Sequence, residues 1–124
     1  MSRVLNLARN MALKSRSKFR LGAVLVKKNR VVSAGFNSML KTHPLQQKFN
    51  DGKYTIGIHA ELHACLGVSA KDLEDSEIYV VRLRRDGQFA LAKPCQICEK
   101  FLYSVGVRCA HYTVNENEIS KLEF

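Results

Sequence analysis

The sequence predicts an α/β sandwich on a mixed sheet, and three observations carry that prediction. Short β-branched-rich runs alternate with amphipathic segments in the order α, β, β, α, β, α, β, α. At 124 residues with 46% hydrophobic side chains, the chain has one domain's worth of length and can bury a real core. No linker, repeat or low-complexity segment divides it.

The first helix is expected from Ser2 to Lys14, where Val4, Leu5, Ala8, Met11 and Ala12 form an apolar stripe behind a Ser2 cap. The first 20 residues are Arg-rich and acid-free, as transit peptides are. The stripe leads straight into the first strand, so a packed helix is the better reading. Leu21 to Lys27 and Val31 to Phe36 flank Lys28-Asn29-Arg30 and read as an antiparallel hairpin. Asn37 to Ile58, with Pro44, Asp51-Gly52 and Gly57, is a long connection of the kind that usually carries function. His59 to Leu66 reads as a helix stopped by Gly67, and Glu77 to Arg84 as a strand. Asp86-Gly87 marks a turn before Gln88 to Ala92. Cys95 to Val105 is a helix with Ile97, Phe101, Leu102 and Val105 inward, ended by Gly106. Val107 to Val114 is a strand, and Glu116 to Leu122 is read as a short last helix.

Composition narrows the function classes. No apolar run approaches the roughly 18 residues of a membrane span, and no secretory leader is evident, so a cytoplasmic, reducing location without membrane attachment is expected. The four cysteines, Cys65, Cys95, Cys98 and Cys109, therefore read as thiols rather than disulfides. Cys65 and Cys109 lie in apolar stretches and read as small buried hydrophobes. The net charge of +9 is uneven: residues 1–53 carry 12 Lys and Arg against the single acid Asp51. That half suggests an anionic partner, a nucleotide phosphate or a polynucleotide backbone, although a solvated basic face explains it equally well.

Two short motifs carry the chemistry: His59-Ala60-Glu61 and Pro94-Cys95-Gln96-Ile97-Cys98. One imidazole and two thiolates make three zinc ligands, and a catalytic zinc site leaves the fourth position open. Each motif opens a helix. There the backbone N–H groups and the helix dipole favour thiolate, and Pro94 removes no needed hydrogen bond. Glu61 lies about 200° around the helix from His59, so it acts on water as an acid/base rather than ligating. A structural zinc site needs a fourth Cys or His; His63, one turn below His59, is placed for it but reads better as a core histidine. A redox dithiol gives His59-Ala60-Glu61 no role.

Together these motifs resemble the zinc-dependent cytidine/deoxycytidylate deaminase superfamily. Leu21-Gly22-Ala23-Val24-Leu25-Val26 followed by Gly35-Phe36-Asn37 is similar to its first hairpin and substrate-binding Asn. Ile78-Tyr79-Val80-Val81 and Gly106-Val107-Arg108 resemble the segments around its Cys motif. The resemblance implies that residues 1–124 form one CMP/dCMP-type deaminase domain with the cytidine deaminase-like fold, a three-layer α/β/α sandwich around a mixed central sheet. It implies Zn2+ held by His59, Cys95 and Cys98, Glu61 as the catalytic proton carrier, and substrate contacts from Asn37 and the Ala60 N–H. His43, in the Thr42-His43-Pro44 stretch, is a further candidate contact to base or phosphate. The residue before Pro94 is Lys93, where relatives often have a small polar or acidic one.

The implied reaction is hydrolytic deamination of a cytosine nucleotide, dCMP to dUMP first, by a homo-oligomer. A deaminase acting on single-stranded DNA or RNA, including tRNA, is the alternative that the basic half favours. Its candidate stacking platforms are Phe19, Phe36, Phe49 and Tyr54. A catalytically silent zinc protein that binds nucleic acid is the alternative from another class, and Glu61 argues against it. The shared metal chemistry leaves adenine and guanine open as the base.

Overall fold

The computed structural model describes residues 2–39, 43–49 and 57–124. In chain order the elements are α1 (Ser2–Lys14), β1 (Arg20–Lys27), β2 (Arg30–Phe36), α2 (Pro44–Lys48), α3 (Ala60–Cys65), α4 (Ala70–Leu73), β3 (Glu77–Leu83), β4 (Phe89–Ala90), α5 (Gln96–Ser104), β5 (Cys109–Asn115) and β6 (Glu118–Glu123). The strands form one sheet in the order β2-β1-β3-β5-β6, with β4 paired to the end of β3. All pairs are antiparallel except β3 with β5, which are joined through α5 and run parallel. The sheet is therefore mixed, as expected.

Helices cover both faces. On one side α1 buries Ala8 and Ala12 against Val24, Val26, Val81 and Leu83. On the other, Leu62, Ala64, Phe101 and Leu102 of α3 and α5 pack on Ala23, Leu25, Ile78, Val80 and Ala110. Successive residues of β1 thus feed two cores, which is why its interior reads as a continuous apolar run rather than an alternating one.

Two glycines set the distance between layers. A Cβ on Gly22 would stand 2.0 Å from the Ala8 carbonyl oxygen of α1. A Cβ on Gly35 would stand 2.5 Å from the Ala64 nitrogen of α3. Each strand touches its helix backbone to backbone, one on each face.

The β1–β2 turn places Lys28 and Asn29 at φ 51° and 63°, the paired left-handed conformation that matches strand twist in a tight hairpin. The connection from Asn37 to Ile58 is closed at its ends by a bridge, Ser38 N–H to Ile58 O (3.0 Å) and Ile58 N–H to Ser38 O (2.7 Å). Inside it Pro44–Lys48 forms a short helix where the sequence predicts only a connection. Helix α4 was also passed over, although Ser69 caps it by accepting from Asp72 N at 3.2 Å. The Ser2 side chain, Asp51-Gly52 and Tyr54 lie outside the described residues.

One expectation is overturned. Residues read as a last helix, Glu116 to Leu122, form strand β6 instead. Their burial alternates with period two, and they pair antiparallel with β5 from Cys109↔Glu123 to Asn115↔Glu118. The Asn115 side chain accepts from Asn117 N at 2.8 Å and tightens the intervening turn. Satisfying the open edge of β5 outweighs a weak local helical spacing. Among the described residues no helix is long and apolar enough to cross a membrane.

Gly35→Ala is expected to destabilise the fold by about 1–3 kcal/mol, because backbone rather than a flexible side chain must yield. Urea unfolding measures it. A loss below the resolution of that measurement would show that α3 shifts freely on the sheet.

Candidate active site

His59 is the N-cap of α3, in extended conformation, and Cys95 is the N-cap of α5. Cys98 lies in the first turn of α5 and is buried; Cys95 is exposed. Both helices start at the end of the sheet where β3 finishes, so motifs far apart in sequence meet. His59 Nδ1 lies 3.3 Å from Cys98 Sγ and 3.5 Å from Cys95 Sγ, and the three donor atoms fall within 4.8 Å of one another. Ligands around tetrahedral zinc, at roughly 2.0–2.3 Å from the ion, stand about 3.3–3.7 Å apart. The donor set and its spacing fit that ion.

The local electrostatics suit it. A hydrogen bond from Cys98, aided by His59, brings the Cys95 thiol down to about 4. The same bond, and burial, push Cys98 well up. In the metal-free protein the two sulfurs thus share one proton, held on the buried partner. The bond to Cys95 also raises His59. Glu61, second residue of α3, is only 3% exposed. Burial raises its carboxyl pKa, against the opposing pull of its own backbone N–H and of His59.

Glu61, His59, Ala60 and Cys95 line a cavity of about 220 Å³ whose other walls are Phe19, Leu21, Asn37 and Lys93. A larger one, about 440 Å³, continues past Asn37 between Lys14, Arg16, Phe36, Met39 and His63. Close by, Arg16, Lys18, Arg20 and Arg85 surround a basic recess of about 290 Å³.

The remaining candidates are placed as follows. Asn37 reaches the cavity, but its Oδ1 accepts from Leu21 N (3.0 Å) and its Nδ2 donates to Phe19 O (2.7 Å). It therefore holds the start of β1 as the cavity wall. His43 caps α2, its Nδ1 accepting from Leu45 N at 3.1 Å. His63 is not among the zinc donors: its Nδ1 accepts from Phe36 N at 3.0 Å, across from the end of β2. Of the stacking candidates, Phe49 is packed on Phe101 and Phe36 on His63. Phe19 remains 51% exposed at the cavity, with the Arg82 guanidinium 4.3 Å above its ring.

Gln46, which carries no signal in the sequence, supports the donor set. Gln46, 2% exposed, donates from Nε2 to Gly57 O (2.8 Å) and accepts at Oε1 from His59 N (2.7 Å). Its amide fixes the backbone of the zinc-binding histidine. A polar residue in a stretch without periodicity gives no signal of this role, and Pro44 at the first position of α2 is the local cue to a helix there.

The fold and a His–Cys–Cys set beside a buried carboxylate define a zinc-dependent enzyme with its site in a cavity. The chain belongs to the family described as the cytidine and deoxycytidylate deaminase zinc-binding region, whose model matches residues 1–114. It is accordingly a zinc-dependent nucleoside or nucleotide deaminase. Among curated proteins no sequence match is found.

Solved structures share the fold. A cytidine deaminase from Burkholderia pseudomallei is 18% identical over 98% of this chain and 91% of its own, with TM-score 0.69. The apo dCMP deaminase of cyanophage S-TIM5 is 21% identical over 91% of this chain and 81% of its own, with TM-score 0.64. The phage enzyme in complex with dCMP and dUMP gives 18% identity, 90% and 75% coverage, and TM-score 0.56.

Gln46→Ala leaves a buried carbonyl and the His59 N–H without these partners. Zinc affinity is expected to fall about tenfold, read by competition with a chromophoric chelator. Unchanged affinity would show that the α3 start holds itself.

Proposed function

We propose that the protein hydrolyses the exocyclic amine of cytosine in a deoxycytidine or cytidine nucleotide, with dCMP to dUMP as the first candidate. The observation that carries this reading is Glu61: a carboxyl buried beside three zinc donors, yet lining a cavity of nucleobase size. A closed structural site has no use for such a group.

His59, Cys95 and Cys98 hold the ion, which when bound supplies a Lewis acid that acidifies water at this point. Glu61 takes a proton from the attacking water and delivers it to N3 of the ring. C4 gains the oxygen. Glu61 then transfers the second proton to the departing amino group, which leaves as ammonia. Burial raises its carboxyl above the ordinary range, which favours a group that both takes up and gives back a proton. The Ala60 N–H, in the first turn of α3 where helical partners are lacking, is assigned to the base carbonyl. Asn37 is assigned to the base or sugar, through whatever hydrogen-bonding capacity its two backbone bonds leave. Lys93, on the cavity wall, supplies a cation beside the nucleotide.

A second reading has its own support. Phe19, exposed beside the cavity under Arg82, stands next to the recess of Arg16, Lys18, Arg20 and Arg85. An aromatic face beside several cations is what a single strand of nucleic acid uses. One phosphate needs fewer cations, so the nucleotide reading is kept first and the oligonucleotide second.

Zinc-loaded protein supplied separately with dCMP, CMP, cytosine and cytosine-containing oligonucleotides separates these readings by ammonia release. Glu61→Gln should retain one zinc in this site and lose about 10²–10⁴ in kcat. No turnover of any of the four by zinc-replete wild type would refute the cytosine reading. Phe19→Ala should raise KM for an oligonucleotide about fivefold or more if a base stacks there. Equal KM for oligonucleotide in both proteins, with no steep salt dependence, leaves the mononucleotide as substrate.

A further inference from the structure

The parallel seam of the sheet carries a second cluster of donors that the deaminase reaction does not use. Glu77 is the first residue of β3 and Cys109 the first of β5, and the two are register partners. His111 follows Cys109 by two residues, so strand periodicity returns it to the same face. That face is the one bearing Val81, Leu83 and α1, opposite the face on which α3 and α5 pack. Since α5 starts at the zinc donors and runs back to the beginning of β5, this cluster also sits at the other end of the sheet.

The side chains converge closely. Glu77 Oε1 is 2.8 Å from His111 Nε2 and 3.3 Å from Cys109 Sγ, and Cys109 Sγ is 3.6 Å from His111 Nε2. All three donor atoms lie within 4.8 Å of one another, as those of His59, Cys95 and Cys98 do. The two distances to sulfur match the 3.3 and 3.5 Å at the family's own zinc donors, and the 2.8 Å hydrogen bond between Glu77 and His111 opens by about 0.5 Å to admit an ion.

Their orientation is fixed from outside. The His111 ring is stacked on Tyr79 at 4.4 Å and 12°. Arg108 Nη2 holds the other Glu77 oxygen, Oε2, at 3.1 Å, turning Oε1 toward the sulfur and imidazole. Lys121, register partner of His111 on β6, is engaged by Glu123 at 3.2 Å. The His111 and Glu77 side chains keep 16% and 27% exposure, so the cluster opens to solvent on one side.

We propose that Glu77, Cys109 and His111 form a second metal site, distinct from the catalytic one, for a borderline divalent ion such as Zn2+ or Co2+. One oxygen, one nitrogen and one sulfur suit such ions, whereas calcium and magnesium demand mostly oxygen. In the bound state Cys109 is a thiolate and His111 carries a proton on Nδ1 alone, the displaced protons passing to solvent. Water takes the fourth position on the open side. With an ion in place, β3 and β5 are cross-linked at the one parallel pair of the sheet.

The test uses the full chain, stripped of metal under reducing conditions and titrated with Co2+. Thiolate-to-cobalt absorbance and dialysis stoichiometry are read together. Wild type should take up two equivalents. Cys109→Ser and His111→Gln should each take up one, with the spectrum of the two-thiolate catalytic site, which also reports that the variant is folded. The double variant Cys95→Ser/Cys98→Ser, which has no thiolate at the catalytic site and is intact at the second cluster, should keep one equivalent with a single-thiolate spectrum; this arm stands even if changes at the seam prevent folding. A wild-type protein that saturates at one equivalent, or a Cys95→Ser/Cys98→Ser variant that shows no thiolate-to-cobalt absorbance, overturns the proposal and leaves the cluster as a hydrogen-bonded triad.

Discussion

Backbone contact between α3 and strand β2 at Gly35 decides where the chemistry of this protein can happen. With no side chain between them, the helix lies against the strand, and its first residues project past the end of the sheet. His59, Ala60 and Glu61 are those residues. The crossover through α5 brings Cys95 and Cys98 to the same end, and Ala92 N–H bonded to Thr113 O (2.8 Å) ties the approach to that helix onto β5. His63 and Gln46 then hold the two ends of the same segment, one on β2 and one on α2. Layer spacing, rather than any bond between the donors, puts the donors together.

Burial raises the Glu61 carboxyl, and the hydrogen bond with Cys95, together with burial, keeps the proton on Cys98 in the absence of metal. Cys95, exposed and hydrogen-bonded by its neighbour, is thiolate throughout the neutral range. The site therefore offers an incoming cation one ready anionic ligand and a second that becomes anionic on binding. Metal binding at such a site releases protons. Burial, reinforced by the Glu61 charge, likewise drives the Cys65 thiol up to about 12.

The parts of this molecule that were legible in the sequence are those with strong local signals. The apolar stripe of α1, the β-branched runs of β1 and β2, and two ligand motifs each opening a helix could be read directly. What could not be read depends on partners distant in sequence. Glu118–Glu123 becomes a strand because β5 presents an unsatisfied edge. Gln46 matters because Gly57 and His59 converge on it. Cys109 looked like a small apolar side chain among Val107 and Ala110, and it is buried as that reading requires. Only the parallel register of β3 and β5 shows that its sulfur faces a carboxylate and an imidazole. Asn37 was legible as a cavity residue, but not as one whose amide is already bonded to the backbone on both sides.

That doubly engaged amide bears on how a ligand is received. Asn37 joins the end of β2 to Phe19 and Leu21, so the segment leading into β1 is part of the hydrogen-bonded framework before anything enters the cavity. The conformational entropy of that wall is lost when the chain folds, not when the ligand arrives. Preorganisation of this kind reduces the ordering cost of binding, so that more of the contact energy appears as affinity.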